Sequence, residues 1–220
     1  MSYFLSKEEK NFYEDEGYLV RENQFSTNEI NSLTHALERA VNKAQEKASG
    51  GKTYFLDKKK FVDVGCMTLQ YEPQSDDNIL KVIEPAHFLD KELYSLTQDT
   101  RITDPVRSIL EEEKISLWTD KLNLKRPGSG SGFGWHQDSP YWIHDSKNVD
   151  LLPNVYLSLD SADEYNGCFR VIRASHKEGC LPGISNGTQL GGFYTDQNYF
   201  NETDAVDFNI KAGSLVFFNQ

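Results

Sequence analysis

His136 and Asp138 stand two residues apart in the string Trp135-His136-Gln137-Asp138-Ser139-Pro140-Tyr141-Trp142. On a β-strand, positions i and i+2 point to the same face, so this spacing brings an imidazole and a carboxylate to one point. That is two thirds of a facial triad of two His and one carboxylate, the set that holds non-haem Fe(II) and leaves positions open for chemistry. A His-x-Asp triplet arises by chance in many long chains, and its weight comes from the elements around it.

Those elements divide into a helical first part and a β-rich second part. Ser6-Lys7-Glu8-Glu9 and Ser26-Thr27-Asn28-Glu29 are capping boxes, each a Ser N-cap with Glu three residues on. The first predicts a helix ending near Gly17, followed by a short strand at Leu19-Val20. The second opens a helix in which Ile30, Leu33, Leu37 and Val41 recur at 3.6-residue spacing, running to about Ala48 and stopping at Gly50-Gly51. Helical character is expected again at Ile79–Val82, Asp90–Leu96 and Pro105–Glu113. From Ile115 the period becomes 2. Strands are expected at Leu117–Leu124, around His136, at Asn154–Asp160, at Cys168–Ile172 and at Lys211–Phe218. Asn166-Gly167 is a hairpin turn signal. In Asn154–Asp160 the residues Asn154 and Tyr156 share the face opposite Val155 and Leu157, and in a barrel such a face lines a cavity. The loop Pro127–Gly132 is rich in glycine but lacks the Gly-Lys-Ser/Thr ending of a phosphate-binding loop. The pattern as a whole predicts a mainly β fold, a sandwich or barrel with flanking helices.

Composition narrows the function classes. With 220 residues one domain is expected, and 23 basic against 34 acidic residues give a net charge of −11. Such a charge repels phosphate backbones and anionic membranes, so no nucleic-acid or membrane partner is expected. Cys66, Cys168 and Cys180 are odd in number and lack zinc spacing, which fits a reduced, cytoplasmic protein. No secretory leader or membrane span is apparent at the sequence level. His35 and His87 have no partner at metal-ligand spacing.

Several motifs in order resemble the phytanoyl-CoA dioxygenase (PhyH) family of Fe(II)/2-oxoglutarate-dependent oxygenases. They are Phe12-Tyr13-Glu14-Asp15-Glu16-Gly17-Tyr18-Leu19-Val20, then Trp135-His136-Gln137-Asp138, then the run Asn166-Gly167-Cys168-Phe169 through Ala174-Ser175-His176-Lys177, and last Ala212-Gly213-Ser214-Leu215-Val216-Phe217-Phe218. The resemblance implies a double-stranded β-helix, the jelly roll shared with cupins. It implies a single oxygenase domain over 1–220, with 1–114 a mostly helical flank and 115–220 the β-helix core. It also implies a hydroxylase that couples a small-molecule metabolite and O2 to conversion of 2-oxoglutarate into succinate and CO2.

By the same resemblance His136 and Asp138 are iron ligands, and Asn123, Phe133, Asn154 and Tyr156 lie near 2-oxoglutarate. Trp142 is the candidate to touch substrate. His176 matches a structural histidine of the family. The second iron His and the Arg that pairs with 2-oxoglutarate are expected beyond Gln220, so the sequence reads as truncated at its C-terminal end. Asp138 disfavours a halogenase, in which the carboxylate position is vacated. A catalytically degenerate cupin-like binding protein and a metal-dependent isomerase or lyase are the alternatives. Neither the substrate nor the oligomeric state is legible.

Overall fold

The computed structural model describes residues 2–73, 78–143 and 148–219. Along the chain the elements are α1 (Lys7–Glu16), β1 (Tyr18–Arg21), α2 (Thr27–Ala48), β2 (Lys52–Leu56), β3 (Lys59–Val64), β4 (Met67–Tyr71), β5 (Leu80–Glu84), α3 (Lys91–Leu96), α4 (Thr100–Leu110), β6 (Leu122–Asn123), α5 (Ser139–Trp142), β7 (Asn154–Leu157), β8 (Arg170–Ile172), β9 (Ala205–Asp207) and β10 (Leu215–Phe218). They form two compact units that interleave in sequence: Met1–Ile30, Asp99–Ile115 and Gly134–Gln220 in the first, Asn31–Gln98 and Ser116–Phe133 in the second.

In the first unit, α1 begins as the sequence predicts. Ser6 Oγ accepts from Glu9 N at 3.2 Å, and Glu9 Oε2 accepts from Ser6 N at 2.9 Å. The helix ends at Gly17, whose φ of +80° only glycine adopts cheaply and whose N–H donates to Tyr13 O. A side chain there would also strike the His176 ring. β10 is central in an antiparallel three-stranded sheet ordered β1-β10-β7. The register sets Tyr18 opposite Phe218, and Phe218 opposite Asn154. Cross-strand partners share a face, so Tyr18, Val20, Val216, Phe218, Asn154 and Tyr156 line one side of this sheet. On that side lies an aromatic cluster centred on Phe169, whose ring is 5.6 Å from Tyr156, 5.7 Å from Phe208 and 4.7 Å from Phe218. Phe169 and Phe208 flank the second sheet, β8-β9. Two sheets thus meet over an aromatic core, a sandwich packing.

The second unit is a five-stranded antiparallel sheet, β2-β3-β4-β5-β6, with α2 against one face. Ala36, Ala40, Val41 and Ala44 on α2 pack with Val62, Met67, Leu69, Tyr71, Leu80, Ile83 and Leu124. The small alanines let the helix approach closely, and the opposite sheet face carries the more exposed residues.

Several sequence expectations change here. Ile79–Val82 is not helical: Leu80–Glu84 is a strand, buried over its first four residues. Its aliphatic run sits between two neighbours in a sheet, and a short apolar run has no period that separates strand from helix. Residues 52–71, within the expected helical flank, form three strands. Pro105 lies inside a helix that begins five residues earlier, at Thr100, where the Asp99 side chain caps the Arg101 N–H. Of the expected strand Leu117–Leu124 only Leu122-Asn123 forms a regular strand, and Leu124 N adds one further bond, to Lys81 O at 2.8 Å. The Asn166-Gly167 turn forms, with Gly167 at φ +85°, yet β8 does not return against β7. It pairs with β9 instead, so the turn carries the chain from one sheet to the other.

Candidate metal centre

His136 and Asp138 do not share a regular strand. His136 makes one isolated antiparallel bridge with Tyr194, and Asp138 already has helical backbone, φ −79° and ψ −22°, as the residue before α5. Pro140 in the first turn of α5 favours the helical entry. The two side chains nevertheless meet, with His136 Nε2 3.7 Å from Asp138 Oδ1.

Each is oriented by a further protein group. His136 Nδ1 lies 2.7 Å from the Gly134 carbonyl oxygen. A carbonyl only accepts, so Nδ1 carries the proton, and in the neutral ring the lone pair falls on Nε2, the nitrogen turned toward Asp138. Asp138 Oδ2 accepts from Asn154 Nδ2 at 3.1 Å. This is how a protein orients metal-ligating His and carboxylate groups: the far atom is tied so that the near atom keeps its direction. Gln137, buried between the two, clasps the backbone of a neighbouring segment. It donates to Gly179 O at 2.9 Å and accepts from Leu181 N at 2.7 Å. Trp135 is fixed from the other side, its indole N–H donating to Glu202 Oε1 at 3.2 Å and the Arg170 guanidinium 5.2 Å from its ring.

The donors present fit part of an iron set. One imidazole and one carboxylate, pre-oriented and close, are the ligand types of a two-His, one-carboxylate site. Among the described residues there is no group of three or more His, Cys, Asp or Glu placed to hold a metal. His176 does not join them. Its Nε2 lies 3.0 Å from Glu14 O, and since a carbonyl only accepts, the imidazole donates. Together with Arg173 on Glu16 at 2.9 Å and Lys177 on Asp15 at 3.4 Å, it fastens this turn to the end of α1.

Of the remaining site residues predicted from sequence, Asn154 is brought to Asp138. Tyr156 stacks on Phe169 and its hydroxyl lies 3.2 Å from Ser158 Oγ. Trp142 is half-buried at the end of α5. Asn123 and Phe133 belong to the second unit. Asn123 is exposed and pairs with Val82, and the Phe133 ring lies 4.2 Å below the Lys81 ammonium.

Lys81 itself escaped sequence reasoning. It is 4% exposed and Glu72 is 5% exposed. Lys81 Nζ donates to Ser131 Oγ at 2.6 Å and Gly132 O at 3.0 Å, while Ser131 donates to Glu72 through N at 3.1 Å and Oγ at 2.5 Å. Burial pushes the Lys81 pKa below the ordinary lysine value, against the opposing pull of the Glu72 charge. The available signal was a single cation inside Ile79-Leu80-Lys81-Val82-Ile83, since a charge in a buried strand requires partners. His87, which has no partner at metal-ligand spacing in the sequence, bonds Asp120 Oδ1 through Nδ1 at 2.5 Å.

Comparison with known proteins follows the same outline. A family model described as phytanoyl-CoA dioxygenase (PhyH) matches residues 13–220. A probable alpha-ketoglutarate-dependent hypophosphite dioxygenase from Stutzerimonas stutzeri is 29% identical over 170 residues, 77% of this chain and 53% of that protein. The phytanoyl-CoA dioxygenase of Arabidopsis thaliana is 23% identical over 236 residues, 96% of this chain and 79% of that protein. The chain thus spans about half of the first relative and about four fifths of the second. The crystal structure of EctD from S. alaskensis with 2-oxoglutarate and 5-hydroxyectoine matches with a TM-score of 0.72 at 22% identity, covering 98% of this chain and 67% of that one. That likeness establishes the jelly-roll fold. Among the described residues no helix is long and apolar enough to cross a membrane. The match over residues 13–220 places the chain in the phytanoyl-CoA dioxygenase family.

Proposed function

We propose that this chain carries the metal-binding core of an Fe(II)- and 2-oxoglutarate-dependent dioxygenase that hydroxylates a small-molecule metabolite, within one oxygenase domain. The observation that carries the reading is the His136–Asp138 pair, with Nδ1 on Gly134 O and Oδ2 on Asn154. When bound, iron would let O2 act as the oxidant, one oxygen atom going to 2-oxoglutarate as it becomes succinate and CO2 and the other to the hydroxylated substrate. His136 Nε2 and Asp138 Oδ1 would hold the metal. Asn154 keeps Asp138 Oδ1 turned toward His136 by donating to Oδ2. Asn123, Phe133 and Tyr156 are assigned to the 2-oxoglutarate side and Trp142 to the substrate side. The S. stutzeri and A. thaliana relatives, named for dioxygenase activities on hypophosphite and phytanoyl-CoA, support the reaction class and differ too widely to name this substrate. A cytoplasmic location is part of the same proposal.

The test is succinate formation from 2-oxoglutarate by the purified full-length protein with Fe(II) and O2. The reading expects turnover in the wild type and background in His136→Ala and Asp138→Ala. Equal succinate from wild type and His136→Ala overturns it. No succinate from any of them, with 2-oxoglutarate still bound, assigns the chain to the non-catalytic binding alternative. For Asn123 the expected result is a raised KM for 2-oxoglutarate in Asn123→Ala, with the melting temperature unchanged.

A further inference from the structure

Tyr194, 58 residues beyond His136, is its only β-bridge partner among the described residues. Directly opposed residues of an antiparallel bridge send their side chains to one face, so the Tyr194 ring comes up beside the imidazole. The ring centroids are 6.4 Å apart and the planes are 86° to each other, an edge-to-face contact. The backbone beneath Tyr194 is fixed on both sides. Its N–H donates to Gly191 O at 3.0 Å, its carbonyl accepts from Ile184 N at 2.8 Å, and the next residue, Thr195, donates to Trp135 O at 2.9 Å.

Gly134 joins the same arrangement twice. Its carbonyl holds His136 Nδ1, and its missing side chain makes room for Tyr194. A Cβ at position 134 would lie 2.9 Å from Tyr194 Cδ1 and 3.1 Å from Cε1, so a methyl group and the ring cannot share the space. Gly134 has no positive φ, which leaves the ring as the steric reason for glycine there.

We propose that Tyr194 is a positioning residue for His136. Its ring, seated over the bare α-carbon of Gly134, fixes the imidazole so that Nδ1 stays on the Gly134 carbonyl and Nε2 stays turned toward Asp138. The inference rests on the reading of His136 as a metal ligand, and its test separates the two. Without the ring, the imidazole turns about χ1 and χ2 and the Nδ1 bond is made only part of the time.

The experiment measures Co(II) affinity of the full-length protein by calorimetry for wild type, Tyr194→Phe, Tyr194→Leu, Gly134→Ala and the double variant Gly134→Ala/Tyr194→Leu. Loss of an orienting partner typically weakens metal binding by about 10–100-fold. Tyr194→Leu and Gly134→Ala are each expected to lose about 10-fold on that scale. Tyr194→Phe, which keeps the ring, is expected to bind as the wild type does. The double variant is expected to match the worse single one, because the added methyl then meets no ring. Wild-type affinity in Tyr194→Leu, or losses that multiply in the double variant, overturns the proposal. The proton position on the His136 ring, read from 15N shifts in metal-free protein, is the second arm. It should be Nδ1–H in wild type and Tyr194→Phe and a tautomer mixture in Tyr194→Leu, and an unchanged tautomer in Tyr194→Leu overturns the proposal as well. If wild type and His136→Ala bind Co(II) equally, the ligand reading is what fails, and the ring measurement still decides the role of Tyr194.

Discussion

Lys81 and Glu72 in the second unit are 4% and 5% exposed and meet through Ser131 Oγ. His136 and Asp138 in the first unit have side chains 32% and 13% exposed and stand 3.7 Å apart, beyond hydrogen-bond length. The first pair turns its polar atoms onto protein, the ammonium onto Ser131, Gly132 and the Phe133 ring, the carboxylate onto Ser131. The second pair ties its outer atoms, Nδ1 and Oδ2, and directs Nε2 and Oδ1 toward each other across a gap. A buried pair without such saturation would cost several kcal/mol per ion. A ligand pair needs the opposite: donors held in direction but not consumed by each other. The difference separates a bracket that holds the loop 131–133 from a pair that, on the proposed function, would receive a metal ion.

The sharpest break of this comparison is His136→Ala. Succinate formation in the full-length protein should fall to background while the far-UV spectrum and melting temperature stay near wild type. A large loss of stability instead would make His136 a structural residue like Lys81.

Lys81→Met should act in the reverse sense. It strands Glu72 and frees the Ser131 loop, and breaking a buried pair typically costs about 3–5 kcal/mol. Urea unfolding should show that loss, and the double variant Lys81→Met/Glu72→Met should recover most of it. Failure of the double variant to recover would mean that the cost does not come from an unpaired charge.

Asn154→Ala tests whether the second pair depends on its orienting bond. Metal affinity should drop about 10-fold, while stability changes by about 1 kcal/mol, the usual worth of one hydrogen bond. Equal affinity in calorimetry would remove Asn154 from the site.

The smallest effect is expected at an exposed charge in the first unit. Hydrogen bonds from the Ser26 backbone and hydroxyl and from Arg101 hold the Glu29 pKa at about 2, below its ordinary 4.5. The unfolded chain therefore takes up this proton at a higher pH than the folded one. The stabilisation is complete above pH 4.5 and is lost as pH falls toward 2. Acid titration of the melting temperature should show a shallow decline in that window, reduced in Glu29→Gln. An identical decline in both would locate the acid sensitivity elsewhere.

The legible parts of the chain were those decided within a few residues. Both capping boxes form, Gly17 ends α1, and α3 lies within its predicted range Asp90–Leu96. Strands Asn154–Leu157 and Leu215–Phe218 lie within their predicted ranges. The hairpins of residues 52–71 were not legible. The Asp57-Lys58 turn has φ of +47° and +67°, a conformation usually signalled by Asn-Gly. Here three consecutive lysines, Lys58-Lys59-Lys60, hide the alternation. β5 was misread because a fully buried strand loses the period that identifies strands at all.

The types and proximity of His136 and Asp138 were set by the sequence, because two residues of chain cannot separate them far in any conformation. Which atoms face inward was decided elsewhere: by Asn154 on β7, by the Gly134 carbonyl and by the bridge to Tyr194. The fastening of His176 to α1 spans 162 residues, and the pairing of β8 with β9 joins residues more than thirty apart. Such contacts form only when distant segments close on one another, and the entropy of that closure is repaid jointly by the whole core. No local window of residues contains them, which is why the chemistry could be read along the chain and its geometry only across it.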